Sequence, residues 1–166
     1  MMTLLLKRYF GGKAVTKSIL TVWVNGKKVM ECEARELAYR HYTKKFAGST
    51  LFCIPCGVFK MRGRSTKYGP MTLRTQHMPF HSDVAIGWDM LNDPGKNTIV
   101  VGRGDGNPDP MMRGLVASRE TFDQLTHYVY QTFGQNVTIT VTDEGVLTEA
   151  EYWQQMAEKQ LISMEK

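Results

Sequence analysis

Three observations predict a mainly β fold of the α+β class: an antiparallel barrel or sandwich with one core helix and an added C-terminal helix. Short apolar runs are spread along the whole chain, among 15 glycines. Two of these runs, 27–33 and 137–142, alternate with period two, the pattern of half-buried strands. Only the later part of the chain carries sustained helical spacing, over 119–133 and from Thr148 to about Met164.

Residues 3–10 (TLLLKRYF) read as a first strand and Gly11-Gly12-Lys13 as a turn. A second strand, 18–24 (SILTVWV), meets Asn25-Gly26, a strong hairpin signal because both residues accept positive φ. The return strand, 27–33 (KKVMECE), alternates. Residues 34–46 could form one helix with Leu37, Tyr42 and Phe46 roughly on one side, or, since the periodicity is imperfect, a partly ordered excursion. Residues 51–61 read as a strand interrupted at Pro55, so it lies at an edge or begins after the proline. A basic loop is expected over 62–68, a short strand over 71–75, a short apolar run over 84–88 and a turn over 91–96.

Residues 97–118 form the most informative stretch. A strand, 98–101, breaks into a loop rich in Gly, Asp, Asn and Pro, and returns as Leu115-Val116-Ala117 before a helix start at Ser118. Strand, loop and helix is an arrangement that aims free backbone groups from a rigid support. Ser118 is a candidate N-cap, and Phe122, Leu125, Val129 and Phe133 share one face of the following helix, which Gly134 ends. Residues 137–142 (VTITVT) read as a strand. Thr148 and Glu151 form a capping box for the last helix, whose apolar face is Tyr152, Trp153, Met156, Leu161 and Met164. The expected organisation is a β-rich domain over 1–145 and a helical extension over 146–166, docked on that domain or on a partner.

A chain of 166 residues can bury a core without staples. Three cysteines point away from a secreted disulfide framework and toward a reducing compartment. The start, MMTLLLKRYF, is too short for a secretory signal, and no apolar run reaches the ~18 residues of a membrane span. The expectation is cytoplasmic synthesis without export by the general route. Charge is polarised along the chain. Residues 1–80 hold 15 basic residues against 3 acids, a net +12, and the remainder holds 6 against 13, a net −7. That polarity fits an anionic partner, unless folding interleaves the halves.

Three groups of residues could carry chemistry. Cys53, Cys56, His77 and His81 could close a tetrahedral zinc shell, although 20 residues separate the pairs and Pro79 stands between the histidines. Asp105, Asn107 and Asp109 have the rhythm of a calcium loop, but Pro110 and Val116 occupy the places of the turn glycine and the bidentate Glu. With Arg103 and Arg113 they make a candidate binding loop. Lys60, Arg62, Arg64 and Lys67, with Phe59 and Tyr68, would suit a nucleic-acid surface or form a solvated basic loop. No cofactor is required by any of these patterns.

A resemblance runs through TLLLKRYF, SILTVWVNGKKVMECE, CIPCGVFKM, Ser65-Thr66-Lys67-Tyr68-Gly69-Pro70, TIVV, Arg113-Gly114 and Ser118. In their order and spacing these segments resemble an uncharacterised family of small proteins of bacterial phages and mobile elements, distantly similar to the L,D-transpeptidase fold. The resemblance implies a catalytic His at the end of the strand and a Cys nucleophile in the following turn. The matching positions here are Gly102 and Leu115, with Asp105 in place of an Asn, so no catalytic residue is assigned. The leading expectation is a non-catalytic relative of peptidoglycan-acting proteins, accessory to a phage, mobile element or secretion apparatus. The alternatives are a protein-interaction module and a thiol enzyme with displaced residues. Partners are then a cell-wall polymer or another protein, with nucleic acid ranked behind them.

Overall fold

The computed structural model describes residues 1–40, 53–65, 71–76, 78, 83–88 and 98–165. The described chain is mainly β. Its strands are β1 (Met2–Gly11), β2 (Val15–Val24), β3 (Lys27–Leu37), β4 (Gly57–Ser65), β5 (Met71–Thr75), β6 (Ala85–Gly87), β7 (Thr98–Gly104), β8 (Leu115–Val116), β9 (Val137–Thr142) and β10 (Leu147–Thr148). Its helices are α1 (Ser118–Gln131) and α2 (Glu149–Met164).

Eight strands close a barrel in the order β1-β2-β3-β7-β6-β5-β4-β9, and β9 returns to β1. Most neighbours are antiparallel, as the sequence suggests. The two exceptions are β1–β9 and β6–β7, which run parallel. β10 continues alongside β1 beyond β9: Lys7 pairs with Thr142 and Phe10 with Leu147.

Alternation fills the interior row by row. Phe59, Ile139, Leu4, Val22 and Met30 are successive cross-strand partners, and so are Met61, Val137 and Met2. All are buried. Each such side chain contributes about 1.5–3 kcal/mol by leaving water. Helix α1 lies over the end of the barrel where β1 begins. Phe122, Leu125 and Val129 join the core, while Thr126 donates to the Met71 carbonyl and Tyr128 to that of Val29.

The opposite end holds a buried ion pair. Arg8 Nε and Nη2 donate to Glu36 Oε1 and Oε2 at 3.1 and 2.9 Å. The same pair staples residues 53–56: Arg8 Nη2 donates to the Ile54 carbonyl, and the Ile54 N–H donates to Glu36. Burial would lower the Arg8 pKa, but the Glu36 carboxylate more than offsets it and keeps the guanidinium charged.

Several sequence expectations need correction. Residues 34–37 continue β3 rather than open a helix. The cause is tertiary: Arg35 and Glu36 each find buried partners on opposite faces of the barrel wall. The rest of that stretch, from residue 41, lies outside the described residues, as does the 91–96 turn. Arg62 and Arg64 are strand residues of β4, not loop residues. β4 begins after Pro55, and β7 extends to Gly104. Ser118 is the first helical residue rather than the cap. Its hydroxyl donates to the Val101 carbonyl at 2.6 Å, and Ala117 takes the cap position at φ 52°. α1 ends before Phe133, which is exposed rather than core. The expected strands 71–75 and 137–142, the Asn25-Gly26 turn and the Thr148 cap are all present.

Folding also interleaves the two charge halves, since β9 lies between β1 and β4 and β7 lies beside β3. Glu36→Ala removes the partner of a buried arginine and of the Ile54 N–H. It is expected to cost about 3–5 kcal/mol, read as a lowered urea midpoint.

Candidate functional site

The strand-loop-helix stretch forms its site on the outer face of the barrel. Gly102 pairs with Glu33 and Val100 with Arg35, while Lys17 pairs with Arg35 from the other side. Directly paired residues share a face, so Lys17, Glu33 and Arg35 point outward together. A bulge between Arg8 and Phe10 shifts the register of β1 there, and Phe10 pairs with Lys17. The Lys17 ammonium stands 5.5 Å from the centre of the Phe10 ring.

The loop 105–114 covers this wall and explains why three charged side chains on an outer face are buried. Lys17 Nζ donates to the carbonyls of Pro110, Met111 and Arg113 at 2.9, 2.6 and 2.9 Å. Glu33 receives Tyr9 Oη and Arg35 Nη1 on one oxygen and Arg113 Nε on the other. Arg35 also donates to the Arg113 carbonyl at 3.1 Å. Burial alone would raise the Glu33 pKa. The hydrogen bonds from Tyr9 and Arg113, with the Arg35 charge, overcome it and hold the carboxyl below its usual value. Burial and the Glu33 contact push the Tyr9 phenol up. Burial, with the Arg35 charge, pulls the Lys17 ammonium down.

Asp105, Asn107 and Asp109 do come together, as a ladder of Asx turns. Their side-chain oxygens accept the N–H of residues 107, 109 and 111 at 2.9, 3.0 and 3.0 Å. The second oxygen of Asp105 accepts the Gly114 N–H, and that of Asp109 accepts Tyr152 Oη. The backbone N–H groups of Asn107 and Gly114 hold the Asp105 pKa down. The D-x-N-x-D rhythm thus encodes a stiff loop, since its oxygens already have donors. Arg113 joins the cluster through Glu33, while Arg103 is exposed at the end of β7.

Gly102 and Leu115, the positions that the sequence resemblance would set against a catalytic pair, are neighbours. β8 pairs with β7 through Arg103–Val116 and Gly104–Leu115. A Cβ built at Gly102 would lie 2.5 Å from Leu115 Cγ and 2.8 Å from the Val116 carbonyl oxygen. A Cβ at Gly104 would fall on Glu33 Oε2 and the Arg113 guanidinium. Leu115 is buried in the space that a side chain at 102 would need.

The remaining candidates lie apart. Lys60, Arg62 and Arg64 form an exposed outward row on β4, and Lys67 lies outside the described residues. Cys53 and Cys56 pack by the Arg8–Glu36 end of the barrel, while His77 and His81 lie outside the described residues. Arg8 Nη1 donates to Cys56 Sγ at 3.4 Å, and Arg40 N donates to Cys53 Sγ at 3.4 Å. A buried guanidinium beside these sulfurs opposes a metal cation. Among the described residues no group of three metal-ligating side chains occurs. Burial pushes the Cys53 thiol up to about 11 and the Cys32 thiol up to about 12.

Sequence reasoning missed Tyr9, Lys17, Glu33 and Arg35. For Glu33 and Arg35 the one signal is charge at alternate positions, which a solvated face would show equally, and Tyr9 and Lys17 carry no such signal. Matched against protein-family models, curated proteins and solved structures, the chain has no match.

The Glu33 carboxylate contributes stability in full above its unfolded pKa, near 4.5, and loses it as pH falls through its lower folded value. Glu33→Gln is therefore expected to lower stability at pH 7 by about 2–3 kcal/mol and to flatten the acid limb, both read from urea midpoints between neutral and acid pH. Gly102→Ala is expected to cost about 1–3 kcal/mol by overpacking. Adding Leu115→Ala should recover only part of that, because the Val116 carbonyl stays in place; thermal melts of the single and double variants measure the coupling.

Proposed function

We propose that the chain is a non-catalytic relative of peptidoglycan-acting proteins, serving as a wall-binding or accessory domain of a phage, mobile element or secretion apparatus. The observation that carries this reading is the contact between positions 102 and 115. The resemblance aligns them with a base and a nucleophile, and here they are a glycine and the leucine packed over it. Leucine has no atom that can accept a proton or attack a carbonyl. The bordering polar groups, Tyr9, Glu33, Arg35 and Arg113, are engaged with one another.

A thiol enzyme built on Cys53 and Cys56 has weaker support. Burial raises both thiols, which disfavours the thiolate that such chemistry needs. The exposed row Lys60, Arg62 and Arg64 supports an anionic envelope polymer as ligand. A second reading, a protein-interaction module, is favoured by the exposed apolar residues of α2.

Co-sedimentation with isolated peptidoglycan sacculi, at low and moderate salt, tests the first reading. Salt-sensitive binding with unchanged muropeptides is the expected result. New cross-links or cleavage products would show catalysis and overturn the non-catalytic assignment. Absence of binding at both salts would overturn the wall assignment.

A further inference from the structure

We infer that the chain self-associates, with α2 of one copy seated in the cleft between β4 and the end of α1 of another. The inference goes beyond the wall-binding reading and does not depend on it.

The first observation is the helix. Among the described residues of α2 only Tyr152 is buried. It packs edge-on against Phe10 at 6.1 Å and donates to Asp109, so the first turn is anchored. The rest projects. Trp153, Met156, Ala157, Leu161 and Met164 follow helical spacing and form one stripe. Trp153 is 53% and Leu161 61% exposed. Glu151, Glu158 and Glu165 recur every seven residues and draw an acidic row along one border of that stripe. A helix of this length with a single anchored turn is marginal in water, so a surface that covers the stripe would supply most of its stability.

The second observation is the cleft, of about 600 Å³. Met61, Leu73 and Val129 give it an apolar floor, and Phe133 stands at its rim, 63% exposed. Lys60 and Arg62 line the same cleft. Arg74 is the direct cross-strand partner of Arg62, and like charges in that position repel. Among the described residues, none of Lys60, Arg62 and Arg74 has a carboxylate partner. An apolar stripe bordered by carboxylates complements an apolar floor bordered by cations.

Geometry selects a second copy over the chain's own helix. α2 leaves the barrel beside Phe10 and Gly11, whereas Met1 lines the cleft. The length of β1 between them is about 30 Å. The helix spans about 24 Å, so its own cleft is out of reach. Reciprocal exchange of helices between two copies gives two identical contacts and closes a dimer.

Sedimentation equilibrium of the full chain at low and high salt tests this, with two double variants. Trp153→Glu/Leu161→Glu alters the helix stripe, and Lys60→Glu/Arg62→Glu alters the cleft border. All four positions are exposed, and circular dichroism checks that the barrel persists. A salt-sensitive dimer is expected, weakened at least about tenfold in each variant. Mixing the two variants should yield heterodimers through the one intact helix–cleft pair. A wild-type chain that stays monomeric at every concentration overturns the inference without reference to any variant. Loss of association in the helix variant alone would mean that helix pairs with helix, and would overturn it too.

Discussion

Strand β1 is hydrogen-bonded along both edges, to β2 on one side and to β9 and then β10 on the other. The fold depends on this closure. A hairpin can make the β1–β2 contact locally, but β1 and β9 run parallel, and parallel neighbours need a crossover. Here the crossover is nearly the whole chain, because β1 starts at Met2 and β9 at Val137. Closing that seam removes the free edges of the barrel and converts two half-buried strand faces into a continuous interior. It also fixes where α2 leaves, since β10 must follow β1 to Gly11 before the helix can begin.

Charge then sets the register of that closed sheet. β3 carries Glu33 and Arg35 outward and Glu36 inward, each with a specific buried partner. A slip of one residue would turn Glu36 away from Arg8 and drive Arg35 into the apolar interior. Buried ion pairs add little net stability over apolar packing, but the penalty for leaving one partner unpaired is large. The same strand therefore anchors two separate structures: residues 53–56 at one end of the barrel and the loop 105–114 on its wall.

That loop shows how residues suited to binding can be used up in structure. Its Asp and Asn side chains accept backbone N–H groups in succession, its arginine answers Glu33, and three of its carbonyls close on Lys17. The loop is held from below by charge and from within by Asx turns. The short β7–β8 pairing brings Leu115 over Gly102, so the wall is packed there.

Local rules determined much of this protein in its sequence. Alternation in KKVMECE and VTITVT, the Asn25-Gly26 turn, the break at Pro55 and the Thr148 cap are properties of a few adjacent residues, so the strands and helix end they specify were legible. So was the helical face of Phe122, Leu125 and Val129. Boundaries failed where a distant partner decides the local state. Residues 34–37 remain strand because Arg8, Glu33 and Arg113 bind their side chains, and Arg62 and Arg64 are drawn into β4 by pairing with β5. The site was legible only as a stretch. Asp105, Asn107, Asp109 and Arg113 were visible in the sequence, but Tyr9, Lys17, Glu33 and Arg35 were not, because a buried charge and a solvated charge look identical in a strand. Which of the two each becomes was decided by the tertiary fold, through the register that sets β7 beside β3 and carries the loop 105–114 over the wall.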